Sequence, residues 1–591
     1  MTATTLTTTS ITVLRTEADL PALQAWLVQA HGPVALDTET TGLDPRAPGF
    51  LVGVVCLAAA DGGGWVVDGR DRALVRAVLR QAFAAGEVWA HNADYDARAL
   101  HTATGLKLTS LACTLVAART LWPGLSRKAG FSLKVLRPTT DAAQAALREH
   151  WGEVRGSAVV PSEGKIWLPE AVRGLPFDDA FLVAYVAEDT VQCADLATEI
   201  LAHPALEHAR LDVRIDQAWR WTAHQGLRVD RTLLHELRAD VEVELEAIAA
   251  VYGFRPWTNN RARSRWLTET LGVTLPRDRK SGRPTTSRKA WKRAIVPPAG
   301  AAGWAEFMRI ATLGSTLSKL VELDRESAQD GRAHPQITAN VARTGRMGVS
   351  RPALQNLAGP ARALFLPDVG YVLVAADLDH VEPSVLAIVS GDPVLRVAVK
   401  GDVYQEIVSL IWPEHALRDN MTAEERDTNI SFRKRAKTIL LALMYGMGPA
   451  ALAESLGGTR AEAVDIRQQV LRAWPEVRNW QRETDRRARR DQLTTLTGRP
   501  LPVDPQARYR AHNYSIQGSA ADIFKRMTLE VKDQLPRDSR LWLPVHDELV
   551  VECRPADAER CKVILAACMT ADIEGVLITA EPVGPWDRWQ K

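Results

Sequence analysis

The chain has 591 residues, of which 46% are hydrophobic and 24% charged, an ordinary globular balance. At roughly 150 residues per domain it should form three or four compact units. No run of about 18 apolar residues occurs, which argues against a membrane span, and a net charge of +2 does not by itself call for a nucleic-acid partner.

The start, "MTATTLTTTS", lacks a basic segment followed by an apolar one, so it does not read as a secretory signal and is expected to be a short disordered tail. "PVALDTETTGLD" (33–44) is an apolar strand that ends in acids. "FLVGVVCLAAA" (50–60) and "GGWVVD" (63–68) follow as strands, joined at an Asp61-Gly62 turn, with helices expected from about Asp71. An α/β unit up to about residue 200 is the result. The pattern is then helical through 211–226 and "RTLLHELRADVEVELEAIAAVYG". Basic loops interrupt it around 255–290, and after about 330 strand and helix signals mix again.

Two basic runs stand out: residues 277–293, with eight Lys/Arg against one Asp, and "RRARR" at 486–490. On a near-neutral chain they suit a channel for a polyanion, and either alone also reads as a solvated surface. The six cysteines are scattered without a C-x-x-C pair, so no zinc site or disulfide framework is suggested, and a reducing cytoplasm fits.

Asp37 and Glu39 lie two apart on a strand end, so both side chains point to one face. Like charges packed together are costly without a cation between them. Asp96 falls in a helical context after strand "EVWA", in "HNADYD" (91–96). Tyr185 and Asp189 lie four apart, on one helix face. Three or four carboxylates suit Mg²⁺ or Mn²⁺, and two such ions can drive phosphodiester hydrolysis, with Tyr185 orienting a water. Any one of these acids alone also reads as a surface carboxylate or a helix cap. In this order the segments resemble, over roughly residues 30–200, the DEDD-type 3′–5′ proofreading exonucleases with a tyrosine in the third motif. The resemblance implies an active nuclease. Where relatives often have "DT" after the second motif, this chain has Cys113-Thr114, which is not a ligand position.

A second apolar strand, "VLVAADLDHVEPSVLA" (372–387), delivers Asp377. Asp547 comes 170 residues later, in "LPVHDELVVE" (543–552), among residues that otherwise read as a buried strand pair. Two strands that each bring a carboxylate to their ends can hold divalent metal between them, as phosphoryl transfer requires. Between them, Arg433, Lys437, Leu441 and Tyr445 recur every fourth residue on one slowly drifting helix face. Two cations there can hold a triphosphate. A helix with a basic solvent face is the other reading.

Together these segments resemble family A DNA polymerases, the bacterial DNA polymerase I group, in a phage-type layout. The resemblance covers nearly all of the chain after residue 200. It is carried by "HQGLRVD" (224–230), "LGVTLPRDRKSGRPTTS" (271–287), "GRAHPQI" (331–337), "TGRMGVSRPALQN" (344–356), "NYSIQGSAADIFK" (513–525) and "WDRWQK", beside motifs A (372–387), B (433–446) and C (544–552). It implies a multi-domain α/β protein: an RNase H-like 3′–5′ exonuclease domain followed by a right-hand polymerase with palm, fingers and thumb. The expected layout is a tail at 1–10, the exonuclease at 11–205, thumb and connecting helices at 206–330, palm at 331–400, fingers at 401–495 and palm again at 496–591.

The resemblance assigns roles residue by residue. Asp377 and Asp547 hold two catalytic Mg²⁺ ions with Glu548 in support, and Asp37, Glu39, Asp96 and Asp189 hold two at the exonuclease site, with Mn²⁺ as a substitute. Arg433 and Lys437 bind the incoming dNTP, and Lys437 also protonates the leaving pyrophosphate. Glu382 is the steric gate against a ribose 2′-hydroxyl, while His380, Leu441 and Tyr445 complete the nucleotide site. Arg346, Gln355, Asn356, Asn513, Gln517 and His546 contact primer–template DNA, where minor-groove acceptors report pair geometry without sequence.

The pattern departs in places. Ser384 replaces an arginine, and Pro383 is expected to bend motif A. Leu441 replaces an aromatic, Tyr404 a histidine, and Tyr509 an arginine. The expected function is a DNA-directed DNA polymerase with proofreading. It would act as a monomer on primer–template DNA and dNTPs, in the cytoplasm of a bacterial or phage-infected cell, without an N-terminal 5′ nuclease or a thioredoxin-type processivity insertion. Two rivals remain: a single-subunit RNA polymerase, against which Glu382 and the nuclease argue, and a nuclease whose degenerate polymerase half only holds DNA.

Overall fold

The computed structural model describes residues 10–125, 131–137, 142–156, 167–278, 282, 284–285, 294–357 and 359–590. Most of the basic stretch 277–293, and residues 1–9 of the expected tail, lie outside the described residues. Two compact units emerge. The first comprises residues 1–224, 337–348 and 374–584; the second comprises 225–336, 349–373 and 585–591.

The first unit begins with a six-stranded mixed sheet. Strands β1 (Ser10–Leu14), β2 (Val34–Thr40), β3 (Val52–Ala58) and β4 (Gly63–Asp68) precede helix α1 (Arg72–Ala85), and β5 (Val88–Ala90) precedes α2 (Ala93–Thr104). β6 (Ala112–Cys113) runs into α3 (Thr114–Leu121). The spatial order is β1-β4-β3-β2-β5-β6. β2, β3 and β4 form an antiparallel meander, while β1 pairs in parallel with β4 and β5 with β2. The turn between β3 and β4 is where the sequence puts it: Asp61 Oδ1 accepts from the Gly63 N–H at 2.9 Å. Asp71 caps α1 by accepting from the Leu74 N–H at 3.0 Å, a contact worth about 1 kcal/mol.

Helix α4 (Ala180–Leu201) packs across β2 and β3. Its inner face joins Val54, Cys56 and Val66 with Trp151, Trp167 and Leu182 in one buried cluster that also contains Tyr185. Helix α5 (Leu206–Gln225) follows. Its Asp212, 1% exposed, takes hydrogen bonds from Thr120 Oγ1 (2.5 Å) and Asn340 Nδ2 (3.0 Å) and an ion pair from the fully buried Lys525.

Later in the same unit, a four-stranded sheet has the order β8-β9-β7-β10, with β7 Val372–Leu378, β8 Arg540–Val545, β9 Glu548–Cys553 and β10 Ala580–Trp586. Helices α6 (Val381–Ser390), α7 (Val403–Ile411), α8 (Ala423–Met444) and α9 (Ala511–Gln534) belong with it. Thr422 and Glu425 form a reciprocal cap that starts α8. Gly446, at φ 65°, turns the chain just beyond it, where a Cβ would lie 2.7 Å from the Tyr509 carbonyl oxygen. Pro383 does not bend motif A. It sits in the first turn of α6, where its missing N–H costs nothing. The second basic run ends the helix Pro475–Arg489, and there Arg486 and Arg487 pair with Glu483.

The second unit packs helix Arg231–Tyr252 on helix Ala301–Glu326 through Leu245, Ile248 and Ile310. Asp324 ties the two by binding Arg231 and Arg238, each at 2.9 Å. A small antiparallel sheet pairs Leu227–Val229 with Arg332–Ala333 and with Phe365–Leu366. Among the described residues no helix is long and apolar enough to cross a membrane. All six cysteines are free and buried.

Candidate functional site: two acid centres

At the first centre, β2 presents Asp37 and Glu39, and α4 presents Asp189. Carboxylate oxygens of these three lie within 4.8 Å of one another. Burial, followed by the charges of Asp96, Glu39 and Asp189, lifts the Asp37 carboxyl well above its ordinary range. Packing that forces carboxylates toward their neutral form is what a site built for a cation looks like before the cation enters. The donor set, all hard oxygens, fits Mg²⁺ or Mn²⁺.

Asp96 stands at the edge of this trio rather than in it. It lies in the first turn of α2, after Asn92 in the left-handed region at φ 67°. Thr38 Oγ1 donates to its Oδ1 at 2.7 Å, and burial pushes its pKa up to about 7. The Thr38 contact was not legible from the acids alone, because it depends on how α2 meets β2. Tyr185 is 3% exposed, one helical turn before Asp189. Burial and then the charge of Glu39 raise its pKa, so the phenol keeps its proton. Nearby, His91 is held by Thr114 Oγ1 at 2.9 Å and by the Phe131 carbonyl at 3.0 Å. Because Nε2 must donate to that carbonyl, Nδ1 accepts from the hydroxyl and the ring is neutral. Burial lowers its pKa to about 4.

The second centre forms where β7 meets the β8–β9 hairpin. Val545 pairs with Glu548, so His546 and Asp547 make a two-residue turn. His546 adopts φ 60°, a backbone state that glycine would fill more easily. The Leu378 N–H donates to the Asp547 carbonyl at 3.3 Å, which sets the residue after Asp377 against Asp547. Burial and the Asp377 charge raise the Asp547 pKa. Glu548, at the first position of β9, is 3% exposed. His546 is exposed at the tip.

Around this pair the chain builds a linked set. Glu382, in the first turn of α6, accepts from the Tyr445 hydroxyl at 2.5 Å and pairs with Arg346. Gln517 Nε2 donates to the same hydroxyl at 3.3 Å. Tyr445 is the residue that closes α8, not a member of its helical face as the four-residue spacing suggested. Burial, then the Glu382 charge, raises its pKa. On the face of α8 itself, Lys437 is exposed and Leu441 half-buried. Arg433 is bound: its Nε donates to Asp402 Oδ2 at 2.6 Å, and its guanidinium lies 5.0 Å from the Tyr404 ring centre. His380, in the left-handed region at φ 46°, meets Tyr404 edge-on at 5.2 Å. Asp402 and the Tyr404 platform were missed as site components, since both come from α7 and reach Arg433 only through tertiary packing. Ser384 is buried in α6, and Tyr509 is exposed.

Of the remaining residues, Asn513 is half-buried on α9, one turn before Gln517. Gln355 and Asn356 belong to the second unit, where Gln355 Oε1 accepts from the Val349 N–H at 3.4 Å and the Asn356 carbonyl accepts from Lys319 at 3.2 Å.

Against known proteins, the family model "DNA polymerase family A" matches residues 234–582, and "3′-5′ exonuclease" matches residues 12–138. The DNA polymerase of Mycobacterium phage D29 is 26% identical over 97% of this chain and 95% of its own length. That of Mycobacterium phage L5 is 25% identical over the same shares. The thermostable DNA polymerase I of Thermus aquaticus is 30% identical over 62% of this chain and 46% of its own length. Among solved structures, the POL domain of Pol1 from M. smegmatis, in complex with DNA primer-template and dNTP, superposes with a TM-score of 0.73 at 23% identity. That match covers 97% of this chain and 99% of the other. The fold is therefore an RNase H-like exonuclease domain followed by a right-hand polymerase.

Proposed function

The chain belongs to DNA polymerase family A and carries a 3′–5′ exonuclease domain ahead of the polymerase, and on that premise we propose that it extends a DNA primer with dNTPs and removes mispaired ends, in a phage-type replicative or repair role. The observation that carries this reading is the meeting of Asp377 and Asp547 across β7 and the β8–β9 turn.

Asp377 and Asp547, with Glu548 beside them, would hold two divalent cations, and Asp37, Glu39, Asp189 and Asp96 two more. When bound, these ions supply charge neutralisation at phosphate and an activated oxygen nucleophile. The chain's own groups do the rest. Lys437 and Arg433 grip the triphosphate, which replaces Asp402 as the anion facing Arg433. Lys437 gives its proton to the departing pyrophosphate. Glu382, fixed from two sides by Tyr445 and Arg346, fills the space a ribose 2′-hydroxyl would need. His380 on the Tyr404 ring borders the phosphates, and Leu441 and Tyr445 border the sugar and the templating base. Arg346, Gln355, Asn356, Asn513, Gln517 and His546 hold primer and template. The primer 3′-hydroxyl then attacks the α-phosphate in line with the pyrophosphate it displaces.

At the other centre the neutral Tyr185 phenol donates a hydrogen bond that orients the attacking water. A mispaired end reaches it more readily because it gives up less pairing energy on fraying. We place the enzyme, as a monomer, in the cytoplasm of a bacterial or phage-infected cell. The phage relatives and the free, buried cysteines support that placement.

Following a labelled primer on a template with Mg²⁺ and either dNTPs or NTPs tests the reading. Extension with dNTPs, and degradation without them, is expected. The Asp37→Ala chain should extend without degrading. Extension only with NTPs would favour an RNA polymerase, and degradation with no extension a nuclease that merely holds DNA.

A further inference from the structure

A cavity of about 190 Å³ in the first unit is lined by side chains that neither acid centre uses. One wall is α3, through Arg119; another is the segment 340–345, through Asn340 and Arg343; Phe131 and Arg499 complete it. Its charges differ in standing. Arg499 Nε donates to Asp522 at 2.7 Å, and Asp212 at the cavity edge is paired with Lys525. Arg119 and Arg343 have no carboxylate at ion-pair distance among the described residues, although both are only partly exposed. Burial holds the Arg119 guanidinium below its ordinary pKa. Guanidinium groups withdrawn from water without a counter-ion are costly unless an anion visits them.

Asn340 adds a second polar signal. It is 5% exposed, and its Nδ2 donates to the Val116 carbonyl, Thr120 and Asp212, while its Oδ1 has no partner. The walls thus offer two uncommitted cations and one uncommitted acceptor, with the Phe131 ring alongside. Their placement along the chain also matters. Arg343 lies three residues before Arg346, which binds Glu382 at the polymerase centre. Helix α3 packs on α4, which carries Tyr185 and Asp189 of the nuclease centre.

We propose that this cavity is a subsite for single-stranded DNA, with Arg119 and Arg343 taking a backbone phosphate of an unpaired primer end and Asn340 and Phe131 facing a base. Guanidinium forks suit phosphate, and aromatic rings suit a base of any sequence. This rests on the polymerase-nuclease reading above. A free anion such as pyrophosphate would use the same arginines, and the test separates the two.

Binding of a labelled oligothymidine is measured in the Asp37→Ala background, with and without Arg119→Gln plus Arg343→Gln, across a salt series. The double substitution should weaken binding about tenfold and flatten the plot of log affinity against log salt by about 1.4, at roughly 0.7 per phosphate released. With Asp37 restored, it should slow removal of a mispaired end about tenfold, by the same loss of binding. Extension of a paired primer and hydrolysis of a thymidine 5′-phosphate aryl ester should stay unchanged, which also shows that the fold and both centres are intact. Unaltered oligothymidine affinity and salt slope would overturn the proposal, as would a loss confined to pyrophosphate binding. So would an equal loss in paired-primer extension. A parent chain that neither extends nor degrades would instead overturn the underlying reading.

Discussion

The hydroxyl of Tyr445 donates to Glu382 Oε2 at 2.5 Å, while the other oxygen of the same carboxylate takes Arg346. A side chain meant to exclude a hydroxyl group must not swing away, and two partners on one carboxylate hold it still. Tyr445→Phe removes one hydrogen bond worth about 0.5–1.5 kcal/mol, so discrimination of dCTP over CTP should fall roughly two- to tenfold. Glu382→Ala should lower it further. The ratio of kcat/KM for the two nucleotides reads this directly, and an unchanged ratio in Glu382→Ala would remove the gate from the account.

The nuclease centre should be separable. Asp37→Ala or Asp189→Ala should slow single-strand degradation more than about a hundredfold, the order of loss when a charge-stabilising group leaves a site of this kind. Dideoxy-terminated primers, which cannot be extended, isolate the measurement. Tyr185→Phe keeps the ring and loses only the donor, so its defect should be smaller than that of either acid.

The acids of both centres were legible in the sequence because each ends an apolar strand or sits one helical turn from a partner, patterns that local geometry fixes. What surrounds them was less so. Arg433 was read as a free cation, yet it pairs with Asp402 from another helix, 31 residues away. Tyr445 kept the four-residue spacing of α8 but falls just past its last residue, where Gly446 turns the chain. Pro383 looked like a bend only until α6 was seen to begin at Val381. β1 pairs in parallel with β4 about 50 residues on, a non-local contact that a short run after a threonine-rich start does not announce.

Removing divalent metal should silence both activities, and adding Mn²⁺ should raise the melting temperature. The cation relieves the repulsion among Asp37, Glu39 and Asp189 that now lifts the Asp37 carboxyl. Asp37→Ala should shrink that Mn²⁺-induced shift. A shift of the same size in the variant would mean that the metal acts elsewhere.

His91 sets a pH dependence. Its folded pKa, about 4, lies below the ordinary value of 6.5. The stability it contributes is therefore full above 6.5 and is lost as pH falls toward 4, up to about 3 kcal/mol in all. His91→Asn keeps a donor for the Phe131 carbonyl without the titration. Its melting temperature should decline less than that of the parent chain over this interval. Parallel curves would show that His91 does not carry the effect.

The Lys525–Asp212 pair is buried on both sides. Lys525→Met leaves an uncompensated carboxylate inside and should cost about 3–5 kcal/mol in denaturant unfolding. Adding Asp212→Asn should recover much of that loss. If the double change is as unstable as the sum of the two single ones, the pair is not coupled.

The central claim is that Asp377 and Asp547 work as one metal-holding unit, and single-turnover dNTP incorporation in the Asp37→Ala background tests it most directly. Asp377→Ala, Asp547→Ala and the double change should each bind primer–template normally and lose incorporation to a similar extent, because groups that act as a unit do not add. Incorporation within about tenfold of the parent in either single variant, or multiplied losses in the double, would contradict it.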